Sequence, residues 1–240
     1  MNVLPLWSKS THPIVIRYRG QPVLKRFQIM LVILSVVAFL LLGGLSLPVV
    51  YCLFWLVALL FVATSTAEKV YHERENLTWD LVRLTPYSTR ELLLSLWAAS
   101  LWQLNRTWLM WIYRVLHAFT IVGLLVYVIL IAEVPTDQWL TLLFMATLLI
   151  VLQPLMEMYY CGMIGLVAAN HLPDRGSAQG LTVGAVLIYW FIYVAGSVAL
   201  LYSAGRGLTA GHLNGLFMLS LLVPLALGYL AQRIAEFRLI

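Results

Sequence analysis

Two apolar stretches dominate the first half of the chain. The first, from Phe27 to Ala67, is broken only near Gly43, Gly44 and Pro48. It is about twice the ~20 residues that cross a 30 Å hydrocarbon core, and so predicts two spans joined by a tight turn. The second runs from Leu92 to Ala132, but its first half carries Gln103, Asn105 and Arg106, followed by Arg114 and His117. If that half crossed, Arg106 and Arg114 would lie outside and every later loop would invert against the positive-inside bias. The pattern therefore predicts an interfacial helix over about 92–111, with Trp97, Trp102, Trp108 and Trp111 at headgroup depth, and a third span from about Ile112 to Ala132. A fourth span is expected from Gln138 to about Met158, continuing as an apolar helix towards Ala169 with a kink at Pro154. The fifth runs from Gln179 to Ser203 and the sixth from about Leu213 to Gln232. Of the 15 Lys and Arg residues only Arg206 falls outside in this arrangement, which predicts six spans with both termini cytoplasmic.

Between the second span and the interfacial helix lies the one long polar insert, residues 67–92. It holds Glu68, Glu73, Glu75, Asp80 and Glu91, half of the 10 acidic residues. Unpaired charges at bilayer depth cost several kcal/mol each, so the insert belongs in water. Thr78 can cap a short helix from Trp79 to Leu84, with Asp80 in the first turn where the helix dipole favours it. Pro86 ends that helix. Ser88 opens the next, and Glu91 three residues on completes a capping box. Leu77, Leu81 and Leu84 give the short helix one apolar stripe beside a charged face, a surface suited to docking.

Composition agrees with this reading. The chain is 62% hydrophobic and 10% charged, where a soluble domain is about a quarter charged, so it is expected to be all-α and polytopic. The net charge of +5 would suggest nucleic acid in a soluble protein. Here Lys and Arg serve as topology signals at helix ends, and nucleic-acid binding is not expected. Residues 1–26 read as a cytoplasmic interfacial segment, with Arg17, Arg19, Lys25 and Arg26 near anionic headgroups and Pro13, Gly20 and Pro22 interrupting any long helix. A solvated tail is the alternative. No cleavable signal is expected from this start, and Asn2 excludes myristoylation. Residues 27–240 form one transmembrane domain. Cys52 and Cys161 fall in apolar segments without metal-ligand spacing and read as core thiols.

The string ERENLTWDLVRLTPYSTREL resembles the first cytoplasmic loop of ABC transporter permeases of the type-two class, through Glu73, Arg74, Thr78, Leu81, Thr85, Pro86, Ser88, Arg90 and Glu91. The family's usual glycine is Leu77 here. The resemblance implies a six-span half-transporter whose loop carries a coupling helix docked on a separate cytoplasmic ATPase subunit. It also implies a second permease copy, as a homodimer or heterodimer, and a location in the prokaryotic plasma (inner) membrane. On that resemblance Glu73, Arg74, Thr78, Trp79, Asp80 and Arg83 would contact the ATPase. A non-transporting scaffold subunit of a larger membrane assembly, packed against lipids or other membrane subunits, is the competing expectation.

No catalytic or phosphate-cradling motif occurs, so no enzymatic activity and no cofactor are expected in this chain, and any ATP and Mg would be held by the partner. Counting helix rise places Arg114 and Glu157 at similar depth near the inner ends of their spans, which predicts an ion pair acting as a packing and register device, with a proton relay as the alternative. His117 reads as a hydrogen-bonded core residue, with metal or porphyrin ligation as the alternative. Gly176, Gly180 and Gly184 recur every four residues and read either as a tight helix contact, within the chain or between subunits, or as the scattered glycine common in membrane helices. The Asn76–Thr78 sequon would be cytoplasmic and unused.

Overall fold

The computed structural model describes residues 13–19, 25–43, 46–75, 87–131, 139–204 and 210–237, and these are helical with no strand among them. Helix α1 spans Pro13–Arg19, α2 Lys25–Leu42, α3 Ser46–Glu75, α4 Thr89–Asn105, α5 Trp108–Ile131, α6 Trp139–His171, α7 Arg175–Ala204 and α8 Ala210–Phe217. A π-helical segment, Met218–Leu222, then leads into α9, Val223–Phe237. Five stretches are long and apolar enough to cross a membrane: Ser46–Glu75, Trp108–Tyr127, Trp139–His171, Arg175–Leu200 and Gly215–Phe237. The chain is a multi-pass helical membrane protein. In α2 the apolar stretch Leu31–Leu41 is shorter, so a sixth span is an expectation rather than a finding.

Local sequence explains the helix boundaries. Pro13 starts α1, where its missing N–H costs nothing. Gly43 follows α2 with φ of 55°, a left-handed conformation that glycine adopts without penalty, and turns the chain back into α3. Ser88 caps α4: its hydroxyl accepts from the Glu91 amide while the Glu91 carboxylate accepts from the Ser88 amide, the expected capping box. Between α4 and α5, Thr107 donates both its amide (2.9 Å) and its hydroxyl (2.6 Å) to the Leu104 carbonyl, closing the helix there. The break falls at Arg106 and Thr107, so the third span begins at Trp108 rather than near Ile112.

At about 1.5 Å per residue, α3 and α6 measure about 45 and 50 Å, well beyond a 30 Å hydrocarbon core. They form the central pair. They meet tightly at Gly165, where an added Cβ would collide with the Ala63 carbonyl. Ala63, Ala67, Ala168 and Ala169 are fully buried around it. Helix α4 is enclosed rather than resting on the outside. It packs against α1 on one side and α3 on another, and eleven of its residues, from Leu92 to Leu104, are buried. Trp97 is among them, its Nε1 donating to the Met158 carbonyl at 3.0 Å. Trp111, by contrast, is exposed.

Candidate functional site

Two polar clusters stand out against the apolar body, one at the overlong ends of α3 and α6 and one deep between the spans. The first is built on α3. Glu73 is only 2% exposed and its carboxylate is held by α1: Tyr18 donates its hydroxyl to Oε1 and Arg17 donates to Oε2 at 3.0 Å. One turn of helix earlier, the side-chain nitrogen of Lys69 donates to Ser65 Oγ (2.5 Å), Ser100 Oγ (3.0 Å) and Gln103 Oε1 (3.1 Å), tying α3 to α4. Arg74 reaches the end of α6, donating to the Ala169 carbonyl at 2.6 Å and to Asn170 Oδ1 at 3.3 Å, a cation at the negative pole of that helix. Glu68 takes a two-pronged contact from Arg175, at 2.9 Å from Nε to Oε2 with a second bond from Nη2 to Oε1, and Gln179 adds a third donor. Asp174 caps α7 by accepting from the Ser177 amide at 2.7 Å, and the bonds to Ser177 hold its carboxyl below the usual carboxylate range. Burial, with the Glu73 carboxylate beside it, raises the Tyr18 hydroxyl above the usual tyrosine range.

This cluster gathers five helices around the end of α3 at Glu75, and the stretch 67–75, expected as part of the aqueous insert, is instead the last two turns of α3, with Lys69 and Glu73 buried against the other helices. Of the six residues expected at an ATPase contact, Glu73 and Arg74 are engaged with α1 and α6 of their own chain. Thr78, Trp79, Asp80 and Arg83 lie outside the described residues, as does the helix they were expected to form. On the far side of the insert the capping box holds Ser88 and Glu91, and Arg90 lies 4.0 Å from Glu236 of α9.

The second cluster surrounds Glu157 on α6, about 21 Å along the helix from its His171 end. Glu157 is fully buried. Trp55 Nε1 donates to Oε2 at 2.5 Å and Gln153 Nε2 to Oε1 at 3.0 Å. Gln153 also donates to the Tyr193 hydroxyl at 2.9 Å, and that hydroxyl meets Ser220 Oγ of the π-helical segment at 2.6 Å. The expected pairing of Glu157 with Arg114 is not formed: Arg114 lies on an exposed face of α5. Tyr113 and His117 fill the buried face instead, and one residue turns the helix by about 100°, enough to carry Arg114 away from the core. Equal depth does not fix the direction in which a side chain points.

His117 donates from Nε2 to the Leu149 carbonyl at 3.3 Å, so Nδ1 is the acceptor for the Tyr51 hydroxyl at 2.9 Å. Both ring nitrogens are used within the core. Cys161 is fully buried and Cys52 half-buried, both as free thiols. Among the described residues the glycine row on α7 makes no close approach to another helix: Gly180 and Gly184 have open space where a Cβ would stand, and a Cβ at Gly176 would meet only the nearby Asp174 carboxylate, at 3.3 Å. The close approaches are at Gly165, at Gly162 under the Trp97 ring and at Gly228 under the Tyr159 ring, where single glycines in apolar runs gave no regular pattern to read.

The geometry thus describes a multi-pass membrane protein with a polar clamp at one end and a carboxyl cluster at depth. Comparison with protein-family models, curated proteins and solved structures finds no match.

Proposed function

We propose that the chain is the membrane-spanning permease subunit of an ABC-type transporter, with α2 as a sixth span and both termini in the cytoplasm of a prokaryotic cell. A separate ATPase would press on the insert at residues 76–86, and a second permease copy would complete the path. The observation that carries this reading is the anchoring of both ends of the insert. Its entry is tied to α1 and α6 through Glu73 and Arg74, and its exit to α4 through the capping box. A push on such a segment is transmitted to several helices at once, because packed helices move as rigid bodies rather than deforming. The resemblance of the insert to the type-two permease loop supports the same reading.

A non-transporting scaffold is the second reading, favoured by one observation: Glu73 and Arg74 already have partners inside the chain. Purification from native membranes in mild detergent separates the two. For a transporter, an ATPase co-isolates, and the charge reversals Asp80→Lys and Arg83→Glu release it without lowering the thermal midpoint. A one-copy complex with other membrane proteins and no ATPase defeats the transport reading. Glu73 is unsuitable for this reversal, since it would break the clamp itself.

A further inference from the structure

Glu157 is fully buried and takes part in none of the ion pairs among the described residues. At membrane depth the charged form of a carboxyl is the expensive one, so a carboxyl kept there without a cation is informative. The titratable groups around it are weak acids. From α3, α5 and α7 the phenols of Tyr51, Tyr113, Tyr189 and Tyr193 stand within its electrostatic reach, as does the Cys161 thiol one turn along α6. Phenols and thiols are neutral at ordinary pH. His117 on α5 spends one ring nitrogen on Tyr51 and the other on the Leu149 carbonyl, so it is not bonded to the carboxyl.

The carboxyl heads a chain of hydrogen bonds that can run in either direction. As it stands, Gln153 gives both hydrogens of its amide nitrogen, one to Glu157 Oε1 at 3.0 Å and one to the Tyr193 hydroxyl at 2.9 Å, which leaves Tyr193 to donate to Ser220 Oγ at 2.6 Å. That direction suits a carboxylate. A protonated carboxyl needs an acceptor, and the same side chains supply one when the Gln153 amide turns end for end. Its oxygen, with two lone pairs, then accepts from both Glu157 and Tyr193, and Ser220 donates to Tyr193. No member of the chain loses a bond in passing from one state to the other. Trp55 Nε1, which can only donate, holds Oε2 at 2.5 Å in both. Two further hydroxyls, those of Tyr113 and Tyr189, are buried without a partner among the described residues. Water is the ordinary partner of such groups, and it is also the carrier that brings a proton to a buried acid.

We propose that Glu157 is a reversible proton-binding site whose occupancy sets the direction of the Gln153–Tyr193–Ser220 chain. Uptake forms one O–H bond at the expense of a hydronium ion, which leaves as water. Release is the reverse, and nothing is oxidised or reduced. Ser220 lies in the π-helical segment that joins α8 to α9, a distortion of a kind that recurs at functional sites. The protonation state of a carboxyl on α6 is thereby passed to the last span. The site stands on side-chain geometry and does not depend on an ATPase.

The test is infrared difference spectroscopy of the purified full chain in lipid vesicles, stepped in pH, reading the carbonyl stretch of a protonated carboxyl. The expected result is a band that fades as pH rises, shifts in heavy water and is absent from Glu157→Gln. Gln153→Leu removes a donor that favours the ionised form and should move the midpoint to higher pH by about one unit, tenfold in proton affinity. Tyr193→Phe does not touch the carboxyl, yet it should move the midpoint by about threefold in affinity, because the chain responds as a unit. A spectrum unchanged by Glu157→Gln, or a band constant from acid to alkali, overturns the proposal. A midpoint unmoved in Tyr193→Phe overturns the link to Ser220. Should Glu157→Gln fail to fold, the Gln153→Leu shift decides it, since Glu157 is the carboxyl that Gln153 bonds. Loss of ATPase association leaves these spectra unchanged, so the two readings fail separately.

Discussion

Tyr18 and Glu73 are 55 residues apart, yet the tyrosine hydroxyl is bonded directly to the buried carboxylate, so that a seven-residue helix near the start of the chain is fastened to the end of a thirty-residue one. Arg17 adds a second bond to the same carboxylate, but its side chain is 43% exposed and its charge is partly screened. The buried tyrosine is the stronger half of the clamp.

Tyr18→Phe should therefore cost about 1–3 kcal/mol, because it leaves a buried carboxylate oxygen short of a donor. The same bond makes the clamp sensitive to alkali. The Tyr18 hydroxyl titrates above the ordinary tyrosine value in the folded chain, so its contribution is complete below about pH 10 and fades as pH rises beyond that. Protease cleavage near α1, followed against pH in detergent, should accelerate above about pH 10 in the unaltered chain. Tyr18→Phe should be cleaved faster at neutral pH and lose that alkaline step.

Gly165 and Gly180 make a matched pair. A methyl group at Gly165 meets the Ala63 carbonyl, which is backbone and cannot swing aside, whereas Gly180 has open space. Gly165→Ala is expected to destabilise by about 1–3 kcal/mol or more through overpacking, and Gly180→Ala to be neutral or slightly stabilising through helix propensity. Thermal unfolding in detergent measures both. If the α7 glycine row is a contact between two copies, Gly180→Leu will shift the oligomeric state measured by light scattering while leaving the monomer fold intact.

Lys69 is 3% exposed and joins α3 to α4 through Ser65, Ser100 and Gln103. Lys69→Met keeps the stem but removes every one of those donors, for a loss of about 1–3 kcal/mol. Lys69→Glu buries a carboxylate with no cation beside it and sets it against the Gln103 carbonyl oxygen, and accumulation of folded protein in the membrane should collapse. Yields of both variants equal to that of the unaltered chain would show that the Lys69 amino group does not hold the helices together.

Ser88→Ala removes one half of the capping box and should lower stability by about 1 kcal/mol. Glu91→Ala removes the other half. Since the two side chains act on each other's backbone, the double variant should cost less than the sum of the single ones, which a double-mutant cycle on chemical unfolding will read directly.

Much of this architecture is legible in the residues because it rests on local rules. Apolar runs reveal helices of membrane length, Gly43 marks the first reversal, and Ser88 with Glu91 marks the start of α4. Partners across helices are another matter. Gln103 looks like a reason to keep α4 at a surface, and its match with Lys69, more than thirty residues earlier, becomes visible only when α3 and α4 lie side by side. Glu157 shows the same limit. Helix rise gives its height, but which of several residues at that height faces it depends on rotation, and Trp55 and Gln153 face it while Arg114 does not.

The wide turn at Met218–Leu222 carries one residue more than an α-helical path of the same length would need. The wide turn and the helix beyond it are thereby indexed separately, the turn presenting Ser220 to Tyr193 and α9 presenting Gly228 and Gln232 to Tyr159. Excising a single amino acid here would restore the ordinary winding and rotate one half against the other by roughly a quarter turn, so that only one of those two sets of neighbours could be kept.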